Sequence, residues 1–357
     1  MGKIIKIGIV GIGRIGNAMA REIGRYPDKF KIVAACDLIP ERAEAIANIY
    51  EDCRTYTVYA DMLKQEDIEL VYICTRSCDH YAHALAAFEA GKDVLAEKPV
   101  TVSYEQAVDL YSRANQKGTP RLYVHQQRRL EAAFNQVKEI VDSGLLGKVY
   151  EINTGQIGFQ HRDDWQTLSE FGGGQLLNWG PHIIDQSLPL LGTKTFEIQS
   201  YLTQVAAGGD CEDHLRIRFI GDNDRVVNMC ISGGMALRGG RYFEAYGDRG
   251  AAVYDGNEKL TLRYIDPEQQ IPPVISSPET PGASFGASGT FESARVIRWI
   301  TEEISVNVEG AKLADFWLYL YDTLAYDKPF LLTDDDILAI MRTISVVKTQ
   351  NKYIMKP

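Results

Sequence analysis

Between Lys3 and Val124 the chain repeats one rhythm: a short β-branched apolar run, a turn, then a helical stretch. The runs KIIKIGIV, FKIVAAC, LVYIC, DVLAE and RLYV are brief and bounded by turn residues, the pattern of buried strands. Between them lie helical patterns such as RAEAIANIY and HYAHALAAFEA, the second stopped by Gly91. Strands joined through helices run parallel, so this stretch predicts an α/β sheet with helices on both faces.

The first turn carries a specific signal. Gly11-Ile12-Gly13-Arg14-Ile15-Gly16 follows the first strand directly and opens a helix. In that context the GxGxxG spacing predicts a Rossmann dinucleotide fold. The glycines allow a tight turn, close backbone approach to a pyrophosphate, and close helix–strand packing, and the helix N-terminus favours the phosphates. The second strand ends in AACDLIPERA, which puts Asp37 where such folds offer a carboxylate to the adenosine ribose. A carboxylate there repels a 2′-phosphate and favours NAD over NADP, although Arg42 nearby could tolerate the phosphate. A turn aspartate that caps the following helix is the plainer alternative.

The chain has 357 residues, which makes two domains the natural expectation. Residues 1–124 form the first and residues 125–357 the second. After His125 a helix, EAAFNQVKEIVDSG, leads into KVYEINTGQI, FEIQSYLTQV, HLRIRFI, RVVNMCIS, RYFEAYG and LTLRYI, joined by short Gly- and Asp-rich turns. Such spacing predicts an α+β domain with an open, mostly antiparallel sheet. Residues 266–289 hold five of the thirteen prolines and read as a long loop. TDDDILAIMRTISVVKTQ reads as a closing helix with Thr333 as N-cap and acids in its first turn.

Composition removes several classes of function. A net charge of −10 argues against nucleic acid as a partner. No apolar run approaches the roughly 20 residues of a membrane helix, and MGKIIKIGIVGIG lacks the features of a signal peptide. The six cysteines are scattered without a CxxC pair, so no metal site is expected and a reducing cytoplasm is the expected location.

Ligands of doubly wound sheets bind at the carboxyl ends of the strands. Thr75, Arg76, Ser77 and His80 lie beyond one such end, and Glu97, Lys98 and Pro99 beyond the next. Lys98 precedes proline and is held extended. In FGGGQLLNWGPHIIDQ, Pro181 suits a first helical turn. His182 then sits at the positive end of a helix and should stay neutral near pH 7. Asp185, three residues on, could orient its ring, and the glycines would let backbone approach a ligand. A packed histidine behind a flexible turn is the alternative. Arg162, Asp163, Asp164 and Trp165 combine hydrogen-bonding groups with a flat apolar ring, which suits a polyhydroxylated ring substrate, with a core tryptophan behind a charged turn as the alternative.

These segments together resemble the Gfo/Idh/MocA family of oxidoreductases, named for glucose–fructose oxidoreductase and inositol dehydrogenase. GIGRIG, TRSCDHYAHALAAFEAGKDVLAEKPVT, HQQRRLEAAFNQVKEIVDSGLLGKV and GGGQLLNWGPHIID carry the likeness along nearly the whole chain. The resemblance implies NAD(P)-dependent hydride exchange with a hydroxyl carbon of a sugar, sugar derivative or cyclitol. It implies Lys98 as catalytic lysine and His182 as the acid–base histidine. The nucleotide would be held by Gly11, Ile12, Gly13, Arg14, Ile15, Gly16, Asp37 and Arg42, with Thr75, Arg76, Ser77, His80, Glu97 and Lys98 nearby. Gln127 and HRDDWQ fall where relatives contact substrate, and the second sheet would mediate a homo-oligomer, a dimer or tetramer.

Two departures stand out. Many members carry Asp four residues before the histidine, where this chain has Asn178, and an amide cannot titrate. Arg76 and Ser77 replace a common Pro-Asn pair. Two rival readings follow: a redox-neutral enzyme that retains NAD through transient oxidation, elimination and re-reduction, and a non-catalytic NAD-binding regulator.

Overall fold

Six apolar runs pair edge to edge: β1 (Ile5–Val10), β2 (Phe30–Cys36), β3 (Arg54–Tyr56), β4 (Leu70–Ile73), β5 (Asp93–Ala96) and β6 (Leu122–Val124). The computed structural model describes residues 2–237, 239–273, 278, 296–306 and 315–351. Every neighbour in this sheet is parallel, in the order β3-β2-β1-β4-β5-β6. The direction of winding reverses between β1 and β4, and that switch point opens a crevice at the strand ends. The five strands expected from sequence are all present. The short β3 was not legible, because two of its three residues are exposed and it has no apolar run.

Helices α1 (Arg14–Ile23), α2 (Pro40–Ala47), α3 (Tyr59–Leu63), α4 (His80–Glu89) and α5 (Tyr104–Arg113) connect these strands. Successive strand residues feed opposite cores, as the pleat requires. Val71 and Ile73 join one apolar cluster, Leu70 and Tyr72 the other.

The second sheet contains β7 (Val149–Ile157), β8 (Phe196–Thr203), β9 (His214–Gly221), β10 (Val226–Ser232), β11 (Gly240–Gly247), β12 (Gly250–Tyr254), β13 (Lys259–Ile265) and β14 (Trp299–Ser305). Its order is β14-β13-β12-β11-β7-β10-β9-β8, with β7 and β10 parallel and the other neighbours antiparallel. Along β9, Leu215, Ile217 and Phe219 are buried while Arg216 and Arg218 are exposed, so one face is covered and the other open. Helices α6 (Ala132–Asp142), α7 (Gln175–Asn178) and α8 (Gly180–Leu191) belong to this half, and α8 packs on β7 and β10.

The last two helices return to both sheets. Helix α9 (Phe316–Tyr326) packs Phe316, Trp317 and Leu320 into the cluster that holds Ile7, Ile9 and Phe30. Trp317 and Tyr321 meet the Phe30 ring edge-on at 5.9 and 5.7 Å. Helix α10 (Asp334–Gln350) begins with the expected cap: Thr333 and Asp336 exchange side-chain-to-backbone bonds in a capping box. It packs on α5, α8 and β8, tying the halves together. Of the loop expected over 266–289, residues 274–277 and 279–289 lie outside the described residues. Among the described residues no helix is long and apolar enough to cross a membrane.

Candidate active site

The chain must leave β1, clear the end of β4 and enter α1 within three residues. Gly11 does this at φ +88°, and a Cβ there would lie 2.7 Å from the Cys74 carbonyl carbon and the Thr75 nitrogen. A Cβ on Gly16 would lie 2.1 Å from the Gly11 oxygen, so that glycine seats the helix on its own turn. Gly13 differs: nothing lies within 4 Å of its missing Cβ. Two glycines are thus demanded by packing, and Gly13 borders open space at the start of α1. No side chain caps that helix, so its first-turn N–H groups and partial positive charge are offered to an anion. The cradle fits a dinucleotide pyrophosphate.

Asp37 does not cap helix α2, whose N-cap Ile39 makes no side-chain capping bond, but ties the turn ahead of it. Its Oδ2 accepts from the Ile12 N–H at 2.7 Å and its Oδ1 from the Ile39 N–H at 2.9 Å. It therefore pins the glycine turn to the end of β2, and an ionised carboxylate keeps further lone pairs for ribose hydroxyls. Arg42 Nη1 is 3.8 Å away. Ile12 is buried beneath the turn, whereas Arg14 and Ile15 are exposed on it.

Two loops beyond β4 and β5 build the next layer. His80 is buried between them, its Nδ1 2.8 Å from the Pro99 oxygen and its Nε2 3.2 Å from the Thr75 oxygen. Burial lowers its pKa, and a neutral ring donates to one of these two carbonyl oxygens at a time. The Thr75 hydroxyl lies 3.1 Å from His83 Nδ1, and Ser77 is buried. Arg76 is exposed and stacks on the Phe171 ring at 4.1 Å, a cation–π contact that joins the two halves.

Glu97 is buried, with Tyr72 Oη donating to its Oε1 at 2.5 Å and His125 Nδ1 at 2.7 Å. Burial alone would raise its pKa, but His125, Lys98 and the Tyr72 hydroxyl outweigh it and hold the carboxyl at about 2. Lys98 follows, its peptide bond to Pro99 cis. Its ammonium donates to the Asn178 backbone oxygen at 2.9 Å and to Asn178 Oδ1 at 3.2 Å. Burial, with Arg128, Arg162 and Arg14 in support and Glu97 opposing, lowers Lys98 to about 8.

The Asn178 carbonyl is left open by the break between α7 and α8. A continuous helix would bond it to the His182 N–H, four residues on. Between α7 and α8 that N–H instead reaches back to the Trp179 oxygen at 3.1 Å. The Asn178 oxygen is left for Lys98. The glycine run ahead of it departs from expectation. A Cβ on Gly172 would meet Val102 Cγ1 at 2.6 Å, one on Gly173 the Gln166 and Leu168 oxygens at 2.7 Å, and one on Gly174 the Glu212 carboxylate at 2.5 Å. These glycines let protein approach protein. Glu212 in turn accepts from the Leu176 N–H at 2.8 Å and holds the start of α7.

Gly174 has φ 95° and ψ 151°, a region essentially reserved for glycine. Gly174→Ala is therefore expected to lower unfolding free energy by about 1–3 kcal/mol, read by urea titration. An unchanged midpoint would show that the turn relaxes freely.

His182 is buried, and its Nδ1 has no hydrogen-bond partner among the described residues. Burial and the neighbouring Lys98, Arg128 and Arg241 charges push its pKa well below the usual range. The sequence expectation of a neutral ring rested on the helix N-terminus, whereas burial and neighbouring cations are the causes acting here. Asp185 does not orient it. Both carboxylate oxygens of Asp185 accept from Arg129, through Nε at 3.0 Å and through Nη2. The three-residue spacing put the two side chains on one helical face, but an arginine from another element claimed the acid.

Trp179 meets His182 edge-on at 5.8 Å, and the Arg128 guanidinium lies over the Trp179 ring at 4.5 Å. Gln127 Oε1 is buried without a partner among the described residues. Arg162 is bound to Asp164 through Nε at 3.1 Å and Nη2 at 2.9 Å, and it also donates to Gln166. Asp163 is exposed, and Trp165 is half-buried at the start of a 3-10 turn, Trp165–Thr167. Sequence reasoning overlooked Tyr72, His125, Arg128 and Trp179. His125 was accessible to it, because it ends β6 in RLYVH just as Lys98 follows β5.

The family model for oxidoreductases with an NAD-binding Rossmann fold, GFO/IDH/MocA, matches residues 5–125. The model for the family's C-terminal domain matches residues 134–253. The chain belongs to the Gfo/Idh/MocA oxidoreductase family. It is 31% identical over 193 residues to a scyllo-inositol 2-dehydrogenase (NADP(+)) of Bacillus subtilis, covering 53% of this chain and 52% of that protein. It is 32% identical over 145 residues to an inositol 2-dehydrogenase of Salmonella typhimurium, covering 40% and 43%. The chain spans about half the length of the first curated relatives it matches. A levoglucosan dehydrogenase solved with NADH shares the fold at TM-score 0.76 and 16% identity, over 98% of both chains.

Proposed function

We propose that the chain is an NAD-dependent dehydrogenase that exchanges a hydride with a secondary hydroxyl or keto carbon of a sugar, sugar derivative or cyclitol. Residues 1–124 would hold the nucleotide, and residues 125–357 the substrate. The observation that carries this reading is the pairing of Lys98 with Asn178 across the two halves, one turn before the neutral His182 with its unpartnered Nδ1. A secondary alcohol between these groups would give its proton to His182, while the Lys98 ammonium stabilises charge developing on the oxygen. Bound nicotinamide supplies the hydride acceptor. Asn178 fixes Lys98 without neutralising it, and Gln127 is a hydrogen-bonding group for the ring hydroxyls. The inositol dehydrogenases among the relatives support a cyclitol or sugar as substrate.

Asp37 at the end of β2 supports NAD. Arg42 at 3.8 Å keeps NADP as the second cofactor, and one relative carries NADP(+) in its name. The open face of the second sheet, where Tyr201 is 53% exposed beside Arg216 and Arg218, supports a homo-oligomer. Native mass spectrometry of the protein with NAD(H) or NADP(H) added in separate samples reads both points together. NAD or NADH binding and a dimer or tetramer are the expected result. Exclusive NADP(H) binding would overturn the cofactor assignment, and a monomer the assembly.

A further inference from the structure

The charges around Lys98 do not balance. Among the described residues Lys98 bonds neutral oxygens, both of Asn178. Arg128 lies 3.4 Å from Glu131 Oε1, but that same oxygen is 3.3 Å from Arg241, so one carboxylate serves two guanidinium groups. Arg162 is matched by Asp164, and Arg129 by Asp185. Among the described residues interacting at this point, Lys98, Arg128, Arg162 and Arg241 face Glu97, Glu131 and Asp164, four cations to three anions, with Asp163 exposed beside Arg162. Glu97 also sits behind the site, held by Tyr72 and His125. Arg14 is a fifth cation, on the nucleotide side, where a pyrophosphate would draw on it.

This excess lies in a chain with a net charge of −10, whose overall field repels anions. It is also placed for contact. Arg128 keeps 24% of its side chain exposed, and its guanidinium lies over the Trp179 ring at 4.5 Å. Trp179 touches His182, so Arg128, Trp179 and His182 form one continuous wall. Arg241 is buried and occupied by the Gly155 oxygen and Gln186, which leaves Arg128 as the accessible member of the pair. A guanidinium offers a planar fork that matches a carboxylate or phosphate in two hydrogen bonds.

We infer that the substrate is a polyhydroxylated compound bearing an anionic oxygen group, a carboxylate or a phosphate ester, seated by Arg128 beside Lys98. The inference rests on the dehydrogenase reading above and names the class of its substrate. Glucose and myo-inositol would be compared with glucuronate, gluconate and glucose 6-phosphate in NADH formation, on protein shown separately to bind NAD. The expected result is a kcat/KM at least tenfold higher for the carboxylates or the phosphate ester than for the neutral compounds. Which of the two groups leads tells the sources apart. Added NaCl should raise KM for the anionic compounds and leave the neutral ones unmoved. Arg128→Gln should bring the ratio close to one, with the wild-type salt series as the parallel reading if that variant folds poorly. Equal or better turnover of the neutral compounds would overturn the anionic substrate and keep the dehydrogenase. No turnover of any compound, with NAD bound, would overturn the dehydrogenase reading and this inference with it.

Discussion

His182→Ala is expected to lower kcat by about 10²–10⁴-fold, the usual contribution of a general acid–base group, with the dinucleotide still bound. In the proposed mechanism this ring takes the hydroxyl proton; burial and nearby cations lower its pKa, which keeps it neutral and makes it less basic. The glycine turn and Asp37 are built by other elements, so nucleotide affinity should survive. Lys98→Ala is expected to lose turnover similarly, because the ammonium that meets developing negative charge is removed. Steady-state rates together with NADH fluorescence titration test both variants. Wild-type turnover in either would remove that residue from the mechanism, and lost NADH binding would assign it to the cofactor instead.

The pH dependence should report Lys98. Its charged form is disfavoured by burial, which brings it down to about 8, and the proposed mechanism uses that charged form. Oxidation should therefore fall as pH rises through about 8. No matching loss is expected on the acid side near 6.5, because His182 remains neutral well below that value. Asn178→Asp is the sharper test. It puts a carboxylate where an amide oxygen now lies 3.2 Å from Nζ, and an opposite charge so close favours the ammonium. The alkaline limb should move up by about 1–3 pH units, the range seen for closely paired charges. A rate that climbs through pH 8 would make Lys98 the proton acceptor. An unmoved limb in the variant would mean that another group controls it.

Much of this architecture was legible because it is local. A run such as FKIVAAC, brief and bounded by turn residues, reads as a buried strand, and GIGRIG after a strand reads as a turn into a helix, with Gly11 and Gly16 against backbone. Strands without such a pattern escaped notice: β3 is largely exposed, β12 is five residues long, and β14 carries Glu302 and Glu303 among exposed positions. Helix α9 escaped for a different reason. It is apolar on most sides, so its pattern has no face to read, and its partners Ile7, Ile9 and Phe30 lie some 300 residues earlier.

The site divides along the same line. The sequence alone determined the α/β class and the nucleotide turn, because each depends on neighbours within a few residues, while Lys98 and His182 became candidates through the family resemblance. Only the tertiary structure decided their partners. Lys98 meets Asn178 across 80 residues, Glu97 meets His125 across 28, and Asp185 was taken by Arg129 across 56. It also showed that the glycines at 172–174 serve packing, and that one carboxylate is shared by Arg128 and Arg241. Periodicity and motif spacing record which residues are buried or turned. Which charge neutralises which follows from distances of a few ångströms between elements far apart in the chain, and a pattern along one dimension does not contain them.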